Sequence, residues 1–147
     1  MKEINALRHL NACREALEWL KLQPDYATAW GKCERGDWML WLLRRKINID
    51  DEAELRKLTL AKAKSVELVL HLMKDKRSKE AVKTAILFSE GEATREQLAA
   101  AAAAAAYAAA DDAAAYAAYA ADDAARKNIL LKSAEIIRGI YPNPPKL

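Results

Sequence analysis

The side chains best spaced to do chemistry stand in a run, Leu98 to Asp123, that is otherwise almost entirely alanine. Asp111–Asp112 and Asp122–Asp123 are eleven residues apart, close to a whole number of helical turns, so the two pairs repeat on one helix face. Tyr107, Tyr116 and Tyr119 edge them. Such an acidic, tyrosine-edged stripe can receive a basic protein surface or imitate the phosphate spacing of nucleic acid. Tyrosine is favoured at interfaces and carboxylates steer basic partners, so these seven residues form the candidate partner-binding site. The plainer role for the same carboxylates is to keep an alanine rod in solution, with Asp122–Arg126 and Asp123–Lys127 as ordinary i,i+4 pairs.

Other constellations carry less. His9 and Cys13 are four apart, with Cys33 a further soft ligand, but zinc wants four ligands and only the distant His71 remains. A cysteine nucleophile needs an activated thiolate and an orienting third group, and neither is apparent. Glycine-rich phosphate loops, paired histidines and nucleophile elbows are missing, and four glycines leave few tight phosphate-binding turns to build. The expectation is a non-enzyme without metal or cofactor. Lysines and arginines crowd positions 56–64 and 74–83, with Lys74, Lys76, Arg77 and Lys79 around a helix junction, where phosphates or an acidic partner could meet them. A net charge of +3 is too small to argue for nucleic acid or membrane by itself. A nucleic-acid-associated protein using the 56–83 cluster is therefore the alternative reading. Arg35-Gly36-Asp37 spells the tripeptide that integrins recognise; here its expected roles are chain break and helix cap.

The elements that must position these groups are all helical. Ile4, Leu7, Leu10, Leu17 and Leu20 recur at three and four, predicting one amphipathic helix over 4–22 that Pro24 ends. Asp25 caps a short helix to about Cys33. Gly36 breaks the chain and Asp37 caps the next helix, Trp38 to Lys46, whose opening run is apolar all round and so belongs at the centre of the core. On that placement Trp41→Ala costs about 3–5 kcal/mol. Asp50 or Asp51 caps a helix over about 51–74, Ser78 opens another with Val82, Ala85, Ile86 and Phe88 inward, and Gly91 ends it in a left-handed cap. Thr94 and Gln97 fit a capping box at the start of the alanine helix.

Alanine loses no side-chain entropy on forming helix, and no breaker follows until Gly139, so that helix is expected to run some 40 residues, roughly 60 Å. At 100° per residue the four Asp fall on the side that Ile129, Leu130, Ile136, Ile137 and Ile140 later make apolar. Burying carboxylates is expensive, so a bend near 124–128, a change of neighbours or a polar groove must separate the two stretches. The methyl-only face Ala103, Ala106, Ala110, Ala113, Ala117, Ala121 and Ala124 permits close helix approach, first of all against the 51–74 helix, with a homodimer seam as its other use. Residues 141–147 read as an extended, loosely held tail after a single domain over 1–140.

The fold class is thus all-α: a single-domain bundle of about six helices with a long alanine-rich C-terminal helix. The 147 residues suffice for a real core, and all four tryptophans lie between Trp19 and Trp41. The charged, amphipathic start predicts no signal peptide, the interrupted alanine run makes a poor membrane span, and two cysteines suit a reducing compartment, so a cytoplasmic protein is expected.

Three segments in order carry a resemblance: Cys13-Arg-Glu-Ala-Leu-Glu-Trp19; Ala29-Trp-Gly-Lys-Cys-Glu-Arg-Gly-Asp-Trp-Met-Leu-Trp-Leu42; and Gly91-Glu-Ala-Thr followed by an Ala/Tyr/Asp-rich helix ending at Ala134-Glu-Ile-Ile-Arg138. Over about residues 13–140 the chain resembles a family of small alanine-rich helical immunity-type proteins of bacterial and phage genomes. That resemblance implies a non-enzymatic protein that binds and neutralises another protein, a toxin or, for a phage protein opposing its host, a defence factor.

Overall fold

The computed structural model describes residues 1–106, 119 and 121–147. Among them are eight α-helices and no strand: α1 (Glu3–His9), α2 (Arg14–Lys21), α3 (Tyr26–Lys32), α4 (Gly36–Lys46), α5 (Glu52–Glu67), α6 (Lys76–Glu90), α7 (Arg95–Ala106) and α8 (Asp123–Ile140), with a 3-10 turn over Leu70–Leu72. None of the helices in the described residues is long and apolar enough to cross a membrane.

The excess over six helices has two sources. The expected helix over 4–22 is divided because Asn11 takes a left-handed conformation, φ 61°. Its amide donates to the Arg8 carbonyl and that of Ala12 to the Leu7 carbonyl, each at 3.0 Å, a Schellman closure that ends α1. Asparagine tolerates this conformation better than most side chains do. The alanine stretch is also divided: Ala121 and Asp122 leave the helix, and the Asp122 carboxylate accepts from the amides of Ala124 and Ala125 at 2.9 and 3.1 Å. Asp122 is an N-cap, and the unbroken 40-residue rod is not what forms.

Most other caps fall where local chemistry puts them. Asp25 accepts from the Thr28 amide at 2.7 Å and Asp51 from those of Ala53 and Glu54. Gly91 ends α6 at φ 85°. Thr94 and Gln97 bond reciprocally, at 2.8 and 3.1 Å. Two caps differ from expectation. Asp75, not Ser78, opens α6 by accepting from the Arg77 amide, and Ser78 is buried. Asp37 lies inside α4 rather than capping it, because Arg35 holds its carboxylate through Nε and Nη2 at 2.9 and 2.8 Å.

The main core joins α1–α5 with the second half of α8. Leu43, Leu58, Ala61, Ala134 and Ile137 are almost wholly shielded. Helices α4, α5 and α8 meet through small residues: a Cβ on Gly36 would lie 2.5 Å from Ser133 Oγ and 2.8 Å from the Ala134 amide. Beside that crossing, Ser133 Oγ bonds Ser65 Oγ at 2.8 Å, and Ser65 donates to the Ala61 carbonyl. The α4 helix is less central than its composition predicts. Met39, Leu42 and Leu43 are buried, whereas Trp38, Leu40 and Trp41 are only partly so, and Trp41 carries the Arg45 guanidinium over its ring at 4.2 Å.

Outside this core, α6 lies against α5 and α7 against α6, with Phe88 fully shielded between them. Within the described residues, α7, the first part of the alanine stretch, therefore leans on α6. Its partly buried residues are Leu98, Ala101, Ala104 and Ala105, while Ala103, Ala106, Ala121 and Ala124 of the expected methyl face are exposed; Ala110, Ala113 and Ala117 lie outside the described residues. The C-terminal segment is extended as expected but firmly held. Tyr141 is buried and its carbonyl accepts from Trp30 Nε1 at 2.8 Å, Tyr26 Oη donates to the Pro145 carbonyl at 3.1 Å, and Leu147 packs on the core. Buried indole and phenol groups need partners for their polar atoms; the tail supplies acceptors for Trp30 and Tyr26, whereas the buried Tyr141 hydroxyl has none among the described residues.

Candidate functional site: the tryptophan pocket and its basic groove

Of the sequence-predicted stripe, Tyr107, Asp111, Asp112 and Tyr116 lie outside the described residues. The remaining three are each engaged within the chain. The Tyr119 ring meets His71 edge-on, centroids 6.0 Å apart. Asp122 caps α8. Asp123 pairs with Arg126 at 2.9 Å and Lys127 at 2.8 Å, and the bonds from Lys127 first, then Arg126, hold its carboxyl below the usual range. The second Asp pair thus opens a helix instead of continuing a stripe along one.

The other candidates are likewise accounted for. His9 Nδ1 sits 2.7 Å from the Asn5 carbonyl oxygen. Cys13 falls beyond the end of α1, off the helix face it was expected to share with His9. Burial pushes the Cys33 thiol up, opposite to what an activated thiolate requires. In the 56–83 cluster Arg56, Lys64 and Arg77 bind Glu52, Glu67 and Asp75, so part of its charge is matched locally.

Two concave parts of the described surface lie on the tryptophan side. Helices α1–α4 wall a cavity of about 510 Å³ whose lining is mostly apolar, from Leu7, Leu17 and Leu20 to Ala29, Trp30, Met39 and Leu42. Trp19, Trp38 and Trp41 line it while only partly buried. The Trp19 and Trp38 rings stand 6.1 Å apart, tilted by 59°.

Arg35 builds the mouth. Its guanidinium lies over Trp38 at 4.3 Å, pairs with Asp37 through two bonds and reaches Glu15 on α2 at 3.1 Å. The Arg-Gly-Asp sequence is thus an internal clamp: Arg35 ties α2 to α4, Gly36 lets α4 approach α8, and Asp37 fixes the arginine.

A second, wider groove of about 1210 Å³ shares Trp19, Cys33, Arg35 and Trp38 with this pocket and runs between α2, α3 and the first half of α8. Its apolar lining is completed by the partly buried Leu130 and Leu131. Five cations line it, Lys32, Arg35, Arg126, Lys127 and Arg138, against two carboxylates, Glu15 and Glu34. Arg138 donates to the Cys33 carbonyl just past the end of α3, where a cation suits the helix dipole. Neither Lys32 nor Arg138 forms an ion pair among the described residues. Sequence reasoning placed these tryptophans in the core. The available signal was their number within 23 positions, too many large rings for four short helices to bury. Comparison with known proteins finds no matching family, curated protein or solved structure, so the likeness to immunity-type proteins rests on the residues quoted for it alone.

Proposed function

We propose that this chain is a non-enzymatic, cytoplasmic protein of bacterial or phage origin that binds another protein and neutralises it by covering a working surface, as the immunity-type resemblance implies. The mechanism is the same whether the target is a toxin or a host defence factor. The observation that supports it best is the basic groove, in which Trp19, Trp38, Leu130 and Leu131 lie among an excess of cations. Its volume exceeds the range typical of small-molecule sites and suits a segment of a folded partner. Tryptophan and arginine are the residues that most often carry binding energy at protein interfaces.

Arg35, Arg126 and Lys127 are matched within the chain, so Lys32 and Arg138 are the groove cations that favour an acidic segment with an apolar face, and we place the contact there in preference to the Asp/Tyr stripe. Tagged protein should capture one stoichiometric acidic partner from lysate of the encoding cell, resistant to nuclease. The double variant Lys32→Glu/Lys127→Glu should weaken that capture by about tenfold or more. Material that vanishes with nuclease, or capture unchanged by the double variant, would contradict the reading.

A further inference from the structure

We propose that the pocket between α1 and α4 is a separate binding site for a small, uncharged, predominantly apolar molecule carrying a single hydroxyl or carbonyl. Its volume, about 510 Å³, falls within the small-molecule range and is less than half that of the adjoining groove. Its floor is core: Leu20, Ala29, Trp30 and Met39 are each at most 4% exposed, so the occupant's body contacts hydrocarbon and indole rather than water. Burial of that body is the driving force.

The mouth settles the charge of the ligand. Among the described residues, Arg35 and Asp37 are the only ionisable side chains that line the pocket apart from two thiols and a phenol, and they are bound to each other by two hydrogen bonds. Glu15 further occupies the guanidinium. No charge is left over to compensate an ionic head, and an uncompensated ion at an apolar site is costly. What remains at the mouth is neutral: the Asn11 amide, exposed where α1 closes, and the exposed Cys13 thiol at the start of α2. Either can bond a hydroxyl or carbonyl. The left-handed Asn11 thus has two consequences: it separates α1 from α2, and it puts a neutral hydrogen-bonding group on the rim.

Four tryptophans line the site, so binding is readable from intrinsic fluorescence. The test compares 1-decanol, decanoate and decylammonium, each below its aggregation concentration. Decanol should produce a saturable, one-to-one change and bind at least about tenfold more tightly than either ion, because only the ions carry uncompensated charge. Ala16→Phe builds a ring into the space from a partly buried wall position and should reduce decanol affinity by about tenfold or more. Ala12→Phe fills the same pocket from the α1–α2 junction and replaces it if thermal unfolding shows Ala16→Phe misfolded. Failure of decanol to saturate, equal binding of the ions, or undiminished binding in a folded filled variant would overturn the proposal. Loss of partner capture in the groove variant has no bearing on these outcomes, so the two sites stand or fall separately.

Discussion

Leu43 is fully shielded from water, whereas Trp41, two positions earlier on α4, keeps part of its indole at the pocket and under Arg45. The cost of truncation follows shielding rather than side-chain size. Leu43→Ala should lose about 3 kcal/mol through lost transfer energy and a residual void, and Trp41→Ala about 2 kcal/mol, below the roughly 3–5 kcal/mol of a wholly buried tryptophan, since part of its indole is already accessible. Thermal unfolding of both variants checks the order, and a larger loss at Trp41 would return it to the core. What was legible at this scale was local. The caps at Asp25, Asp51, Gly91 and the Thr94–Gln97 box could be read because each is decided within four residues of chain. Asp37 and Ser78 were misread because a neighbouring group competed: Arg35 took the carboxylate of Asp37, and Asp75 offered α6 a cap one turn earlier.

At the scale of elements, helix identity came through and helix continuity did not. Hydrophobic spacing continues unbroken across Asn11, and helix propensity continues across Ala121, yet both places end a helix. A single backbone conformation at Asn11 and a side-chain cap at Asp122 each outweigh the pattern around them. Capping also makes the elements acid-sensitive. Arg77 bonds from its guanidinium and its amide lower the Asp75 carboxyl from 3.8 to about 2. A carboxyl depressed in the folded state stabilises above its unfolded pKa and loses that contribution as pH falls through the folded value. The start of α6 should therefore weaken between about pH 4 and pH 2. Asp75→Asn keeps a good capping side chain without the titration. Melting temperature followed down the pH scale should fall less steeply through that window in Asp75→Asn than in the parent, and parallel profiles would show that Asp75 contributes no acid sensitivity.

For the molecule as a whole, sequence drew attention to the alanine stretch because it looks unlike ordinary protein, while two concavities of the described residues lie around the tryptophans. There a floor of core residues, a rim of half-buried tryptophans and a self-matched ion network enclose one pocket, and a basic groove continues from it along α8. None of this is a local property. It depends on Arg35 reaching Glu15 across twenty residues and on Arg138 reaching Cys33 across more than a hundred, distances that periodicity does not encode. The acidic stripe survives as a sequence feature whose second half works as a cap and an ion pair. The most direct test of the proposed partner surface is hydrogen exchange of the chain alone and in complex with any protein it captures. The account predicts slowed exchange in residues 15–38 and 123–131, with residues 98–119 unchanged. Protection confined to 98–119 would contradict it and restore the Asp/Tyr stripe as the binding surface.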